Sequence, residues 1–141
     1  MAQRLSATMS STYQEKVNSK YRGDVCIDGD RTSICATEYS RGNWLSVEVP
    51  RDTPVGYVAV WNRRDNPRFN AFLGQFEVWM GSQAGELKML CGRSQYSAAA
   101  NNEPYVLWCG GATGGWVTMK QTGSISYISV AELEAYVAPW L

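Results

Sequence analysis

The chain contains no histidine among its 141 residues. Imidazole is the side chain that enzymes use most often as a general base near neutral pH, and it is also a common zinc ligand. The sequence also lacks a Gly-x-Ser-x-Gly nucleophile motif, a phosphate-binding loop and a His-Glu-x-x-His helix. Acidic pairs such as Glu132 and Glu134 are a type that glycosidases use, but the sequence does not give their separation in space. These absences argue against an enzyme and favour a protein that only binds.

An excess of charge of one sign is lacking too, because 13 Lys and Arg residues balance 13 Asp and Glu residues. A balanced chain has no overall field that attracts nucleic acid or an anionic membrane, so we expect neither as a partner. No apolar run approaches the roughly 20 residues of a membrane-spanning helix. The first eleven residues also lack the apolar centre of a signal peptide.

Four cysteines fall into two local pairs, Cys26 with Cys35 and Cys91 with Cys109. Four cysteines allow three pairings, and the sequence alone does not choose among them. Bridges within the local pairs are the simplest arrangement, and each would stabilise the fold by roughly 2–4 kcal/mol. Buried free thiols are the alternative, and zinc is disfavoured because no Cys-x-x-Cys or histidine spacing is present. Disulfides indicate an oxidising compartment, so we expect an extracellular or cell-surface location and a fragment of a longer secreted protein.

Alternation of apolar and polar residues is the main local pattern, and turn residues interrupt it every eight to twelve positions. The predicted strands are residues 44–49, 55–61, 74–80, 87–90, 105–108, 116–120, 124–130 and 131–137. Many short strands with regular turns are typical of a sandwich or jelly roll. We therefore expect one all-β domain over residues 1–141, a jelly-roll β-sandwich of about eight antiparallel strands. Residues 10–21 predict an ordered wrap over one end, and residues 1–6 a flexible tail.

A series of short motifs runs along most of the chain. They are residues 6–13 (SATMSSTY), 26–30 (CIDGD), 35–37 (CAT), 43–49 (NWLSVEV), 58–65 (VAVWNRRD), 73–78 (LGQFEV) and 127–136 (YISVAELEAY). Together and in this order they resemble the discoidin domains, also called the coagulation factor V/VIII type C family. The most similar branch is the fucose-binding F-type lectins. The resemblance implies a galactose-binding-like jelly roll with binding loops at one end and no catalysis.

The turn Asp28-Gly29-Asp30 places hard oxygen donors on a tight loop, and calcium prefers such ligands. Asp-Gly turns also form without metal, so an ordinary turn is the alternative. In F-type lectins this loop and the glutamate that opens the final strand hold a structural calcium. The resemblance therefore implies carboxylate ligands from Asp28 and Glu132. It also implies main-chain carbonyl ligands and one hydroxyl candidate, from Val25, Asp30, Ala131 and Ser33.

The segment Arg63-Arg64-Asp65 resembles the Arg-x-Asp that fucose-binding lectins use to hold their sugar. An arginine fork can donate to two neighbouring hydroxyls, while an aspartate holds the arginine or accepts from the sugar. The resemblance thus implies that Arg63 and Asp65 contact the ligand. The alternative is an ion pair that only braces the loop.

The rest of that lectin motif is altered. Its histidine is absent, and the neighbourhood of Thr37 takes that place. Its second basic residue is displaced by a loop that is one residue longer, which leaves Arg68 nearby and Phe72 just before the next strand. We include Thr37, Arg68 and Phe72 as candidate ligand contacts, but the fucose-specific pattern is broken.

These observations predict a non-catalytic, lectin-like module that recognises a cell-surface or extracellular glycan, for example in cell adhesion. A protein-adhesion or assembly module on the same scaffold is the main alternative. Phospholipid binding is a lesser one, for which Phe69 and Phe72 beside basic residues would be the membrane contacts. The sequence does not name the glycan or the partner.

Overall fold

The structure is a computed structural model that describes residues 1–139, so residues 140 and 141 of the predicted domain lie outside the described residues. Within that range the chain forms nine strands. They are β1 Ser6–Met9, β2 Cys35–Ala36, β3 Trp44–Glu48, β4 Val55–Asn62, β5 Gln75–Gly81, β6 Met89–Gln95, β7 Tyr105–Ala112, β8 Trp116–Gln121 and β9 Ser129–Val137. The all-β prediction is confirmed.

The strand boundaries differ from the predicted ones in the middle of the chain, where β6 and β7 extend to Gln95 and Ala112 instead of residues 90 and 108, and at both ends. Strands β1 and β2 were not predicted, because four and two residues are too few to show an alternating pattern. Residues 124–130 were predicted as a separate strand, yet only Ser129 and Val130 belong to a strand, where they begin β9, and Ser126 forms an isolated bridge with Ser40. Backbone pairing with a neighbouring strand determines whether such short segments are extended, and an alternating sequence pattern does not reveal this pairing.

Within the described residues, helical structure is confined to short segments between strands. Helix α1 spans Pro67–Asn70, and single 3-10 turns span Gly23–Ile27, Ala71–Leu73 and Ala98–Ala100. No helix within residues 1–139 has the length and apolar character needed to cross a membrane.

Two antiparallel sheets face each other. The larger has the order β1-β3-β8-β5-β6 and the smaller the order β2-β9-β4-β7. In the smaller sheet β4 pairs with β9 in a register that sets Val58 opposite Ala135 and Val60 opposite Leu133. The register shifts between Trp61 and Asn62, where β4 ends. Such an irregularity turns the strand away from the sheet, and the loop that starts at Arg63 leaves from this point.

The core lies between the sheets and follows the period of two along each strand. Val58 and Val60, predicted to share a face, are fully buried, as are Phe76 and Val78 on β5. Burial of apolar surface contributes about 25 cal/mol per Å², so this layer is the main source of stability.

Two disulfide bonds join Cys26 with Cys35 and Cys91 with Cys109, the local pairing expected from the sequence. In the chain-entropy model loops of these lengths correspond to roughly 3 kcal/mol per bridge. The first bridge closes the loop that contains the Asp28-Gly29-Asp30 turn, and the second links β6 of one sheet to β7 of the other.

The N-terminal segment packs on the sandwich, which differs from the flexible tail expected for residues 1–6. Ala2 is 6% exposed, and its N–H donates to the carbonyl of Ala135 at 2.8 Å. The N–H of Leu5 donates to the carbonyl of Glu48 at 2.8 Å. These two backbone bonds fix the segment ahead of β1.

Candidate functional site

The loop after β4 is held by a cluster of buried asparagines. The side chain of Asn62 donates to the Asn70 carbonyl and to the Asn101 side-chain oxygen, both at 2.9 Å. The Asn101 amide donates in turn to the carbonyl of Arg63 at 3.2 Å. The loop then enters α1, whose first turn is capped by the Asn66 side chain accepting from the N–H of Arg68 at 3.0 Å. Buried side-chain bonds of this kind fix the backbone from which Arg63 projects.

Arg63 and Asp65 form a bidentate ion pair on this loop. Arg63 Nε donates to Asp65 Oδ1 at 2.8 Å and Arg63 Nη2 to Asp65 Oδ2 at 2.6 Å. The hydrogen bond from Arg63 holds the pKa of the Asp65 carboxyl below its usual value. The Arg63 side chain is 16% exposed and its guanidinium lies 5.0 Å from the centre of the Phe69 ring, while Asp65 is 57% exposed. The pair orients the arginine and leaves part of its fork accessible.

Arg63 lies at the edge of a pocket of about 290 Å³ that we call the aromatic pocket. Its walls are three tyrosines, two phenylalanines and three smaller residues: Tyr13, Tyr21, Tyr127, Phe69, Phe72, Ile34, Ala36 and Ser129. The rings of Phe72 and Tyr127 meet edge to face at 5.0 Å between centroids, and those of Tyr13 and Tyr127 at 5.7 Å. Rings packed in this way form a rigid apolar surface.

A second pocket, which we call the basic pocket, adjoins the first. It has a volume of about 520 Å³ and is lined by Lys20, Tyr21, Arg31, Thr32, Ser33, Ile34, Arg63, Arg64 and Asp65. Three of these residues, Tyr21, Ile34 and Arg63, also line the aromatic pocket. The two pockets therefore form one continuous concave surface with an apolar half and a cationic half.

The Asp28-Gly29-Asp30 turn meets Glu132 on β9. Gly29 adopts a φ of 80°, a value that glycine reaches without strain, and its N–H donates to Glu132 Oε1 at 2.8 Å. Glu132 Oε2 accepts from the guanidinium of Arg4, and Glu132 is fully buried. Burial raises the pKa of Glu132 to about 7, and the neighbouring Asp28 carboxylate adds to the rise, while Arg4 and Gly29 oppose it.

No protein-family model matches the sequence, and no curated protein sequence matches it. Solved structures do match. The lectin domain of lectinolysin, in complex with Lewis B antigen, has a TM-score of 0.76 at 19% identity over 94% of this chain and 92% of that chain. The family 32 carbohydrate-binding module of NanJ from C. perfringens, in complex with galactose, has a TM-score of 0.72 at 16% identity over 92% and 91%. A fucolectin from striped bass serum has a TM-score of 0.78 at 20% identity over 94% of this chain and 45% of that chain.

This chain has the discoidin-like fold. The similarity extends over almost the whole chain, and it confirms the sandwich that the sequence motifs implied. Identities of 20% or less establish the fold and not the ligand, which depends on the residues present in the site.

The discoidin-like sandwich brings some of the predicted ligand residues together. Arg63 and Phe72 line the aromatic pocket, and Asp65 lines the basic pocket. Thr37 lines neither, because it is fully buried and its hydroxyl accepts from the N–H of Ile128 at 2.9 Å. Arg68 also lies outside the residues that line the two pockets.

The tyrosines of the aromatic pocket were not predicted as site residues. Tyr13 and Tyr21 belong to the wrap, whose position is set by two backbone bonds: Tyr13 N–H to the Ala36 carbonyl at 2.8 Å, and Ala36 N–H to the Tyr21 carbonyl at 3.0 Å. Tyr127 comes from the residues before β9. The available signals were weak: Tyr13 and Tyr127 lie in the first and last resembling motifs, and Tyr21 lies in the predicted wrap.

The Asp28 loop and Glu132 offer oxygen donors of the kind that calcium binds, but the Arg4 guanidinium competes with a cation for the Glu132 carboxylate. Asp28 and Glu132 bring two carboxylates together, and the Ser33 hydroxyl lies 3.4 Å from Asp28 Oδ2. In residues 1–139 no three or more Asp, Glu, His or Cys side chains lie close enough together to hold a metal, so carbonyl ligands would have to complete the shell. Arg4 already forms an ion pair with Glu132, so a bound cation would either share the Glu132 carboxylate with Arg4 or displace Arg4 from it.

Proposed function

We propose that this chain is a non-catalytic, extracellular glycan-binding module whose sugar binds where Arg63 meets the aromatic pocket. The observation that carries the proposal is the Arg63–Asp65 fork, oriented by bonds of 2.8 and 2.6 Å and set beside a wall of aromatic rings. A sugar ring has hydroxyls at its edges and apolar C–H groups on its faces. Asp65 occupies the Nε and Nη2 edge of the Arg63 guanidinium. The other edge, formed by Nη1 and the second hydrogen of Nη2, suits a pair of hydroxyls, and the rings suit a C–H face.

Two further observations support this function. The solved structures of similar fold include a lectin domain in complex with Lewis B antigen and a carbohydrate-binding module in complex with galactose. The two disulfide bonds support an oxidising, extracellular location. The view that the domain belongs to a longer secreted protein stays a prediction.

A glycan array probed with the purified domain, clustered to gain avidity, tests the proposal. We expect binding to a coherent set of glycans and a loss of at least about tenfold in Arg63→Gln, because hydrogen bonds to a charged group contribute roughly 1.5–3 kcal/mol. Arg51→Gln is the matched control, since Arg51 is exposed and precedes β4 while Arg63 follows it, at opposite ends of the sandwich. A blank array would overturn the function, and full binding by Arg63→Gln would move the site elsewhere.

A protein-binding module is the second candidate, and one surface favours it. Tyr57 on β4 and Val106 and Trp108 on the edge strand β7 are 46%, 54% and 36% exposed, and the Tyr57 and Trp108 rings lie 4.6 Å apart. An exposed apolar patch is a common feature of interaction surfaces. Binding to a deglycosylated cell-surface protein that Val106→Lys abolishes and Arg63→Gln preserves would support this candidate over the glycan.

Calcium at the Asp28 loop is a separate proposal, with Asp28 and Glu132 as its carboxylate ligands and Ser33 beside them. When bound, the ion would join the first loop to the last strand and stabilise the folded state by mass action. We expect calcium to raise the melting temperature relative to chelator, and to raise it more in Arg4→Gln, where the competing guanidinium is removed. Identical melting curves with calcium and with chelator, in both proteins, would refute the proposal.

A further inference from the structure

We infer that the basic pocket binds the anionic group of an acidic glycan, a carboxylate or a sulfate, while the aromatic pocket holds the adjoining sugar ring. This inference rests on the proposed glycan-binding function and specifies the chemical class of its ligand. Its basis is the joining of a cationic concavity to an apolar one through shared residues.

The charges that line the basic pocket are unbalanced. Four cations, Lys20, Arg31, Arg63 and Arg64, face a single lining carboxylate, Asp65, although the whole chain has a net charge of zero. Arg63 is paired with Asp65. Within residues 1–139, Lys20 and Arg64 have no ion-pair partner and both are exposed. Two unpaired cations at a concave surface raise the local concentration of anions.

Arg31 is fixed in an orientation that suits an anion. Its guanidinium stacks on the Trp61 ring at 3.6 Å, and its Nη2 donates to Glu134 Oε2 at 3.2 Å. Glu134 also accepts from Trp61 Nε1 at 2.8 Å and from the Tyr136 hydroxyl at 2.9 Å. Burial pushes the pKa of Glu134 up, but these hydrogen bonds outweigh it and hold the pKa below its usual value. Arg31 is therefore anchored to an ionised partner through one nitrogen, and its side chain remains 44% exposed.

The shape of the surface selects an acidic saccharide over a simple anion. Tyr21, Ile34 and Arg63 line both pockets, so a ligand on Arg63 reaches both halves. An inorganic anion would leave the aromatic pocket empty, and a neutral sugar would leave Lys20 and Arg64 without an ion-pair partner. A sugar ring with an attached carboxylate or sulfate satisfies both halves, because its C–H face meets the rings and its anion meets the cations.

Paired saccharides that differ only in charge test the inference. Suitable pairs are oligogalacturonate with its methyl ester, sialyllactose with lactose, and galactose sulfate with galactose, measured by calorimetry or competition. We expect at least one acidic member to bind about tenfold or more tightly than its neutral counterpart, and the difference to shrink as salt rises from 50 to about 500 mM. The pair that responds identifies the anion as a carboxylate or a sulfate.

In the double variant Lys20→Gln/Arg64→Gln this preference should be lost, with the affinity for the acidic member falling to that for its neutral counterpart. Arg51→Gln/Lys88→Gln removes the same two charge types from exposed positions at the opposite end of the sandwich and should keep the preference. Equal binding of acidic and neutral members, or a preference that survives in the first double variant, would overturn the inference and leave glycan binding intact. No binding of any saccharide would overturn both.

Discussion

The buried carboxyl of Glu132 should make the folded protein less stable as the pH rises from about 5 to 8. Glu132 is fully buried, and burial raises its pKa from 4.5 to about 7 despite the neighbouring Arg4. Between these two values the folded state holds a proton that the unfolded state has released. Stability is therefore fully present below the unfolded pKa of 4.5 and is lost as the pH rises through 7.

The size of the effect follows from the shift. One pKa unit corresponds to 1.36 kcal/mol, so a rise from 4.5 to about 7 corresponds to a loss of about 3 kcal/mol across this range. That is a large part of the roughly 5–15 kcal/mol by which domains are stable. Asp65 and Glu134, whose pKa values are lowered, act in the opposite direction and only at pH values below about 4.5.

Urea unfolding at pH 5, 6, 7 and 8 in the presence of chelator measures this slope. Glu132→Gln is the matched variant, because its amide oxygen can still accept from the N–H of Gly29 but does not titrate in this range. We expect the native protein to lose about 3 kcal/mol between pH 5 and 8 and the variant to lose little. A flat profile for the native protein, or the same slope in both proteins, would refute the reasoning.

Two other predictions concern the scaffold. Replacing Cys91 and Cys109 together by serine should lower the free energy of unfolding by roughly 3 kcal/mol, because the disulfide between the two sheets is lost. Urea unfolding of the native protein and the variant, with and without reductant, measures this difference. Asn101→Ala should cost roughly 1–3 kcal/mol and weaken glycan binding, since it removes the acceptor of Asn62 and the donor to the Arg63 carbonyl. A variant with unchanged stability and glycan affinity would show that the asparagine cluster does not position the loop.

The sequence by itself determined the class of fold. The period of two in residues 55–61 and 74–80 requires one buried and one outer face, and Val58, Val60, Phe76 and Val78 are buried as that pattern predicts. Local cysteine spacing was enough to favour the two bridges that form. These features depend on near neighbours in the chain, so a local pattern records them.

Only the tertiary structure decided the composition of the site. Tyr13, Tyr127 and Arg63 come from three distant segments, and they meet because the wrap, the start of β9 and the end of β4 reach the same end of the sandwich. The same packing buries Thr37 as a partner of Ile128 and sets Arg4 on Glu132, 128 residues away. Contacts of this kind depend on strand order and register, and these result from packing the whole core, which a local sequence pattern does not encode.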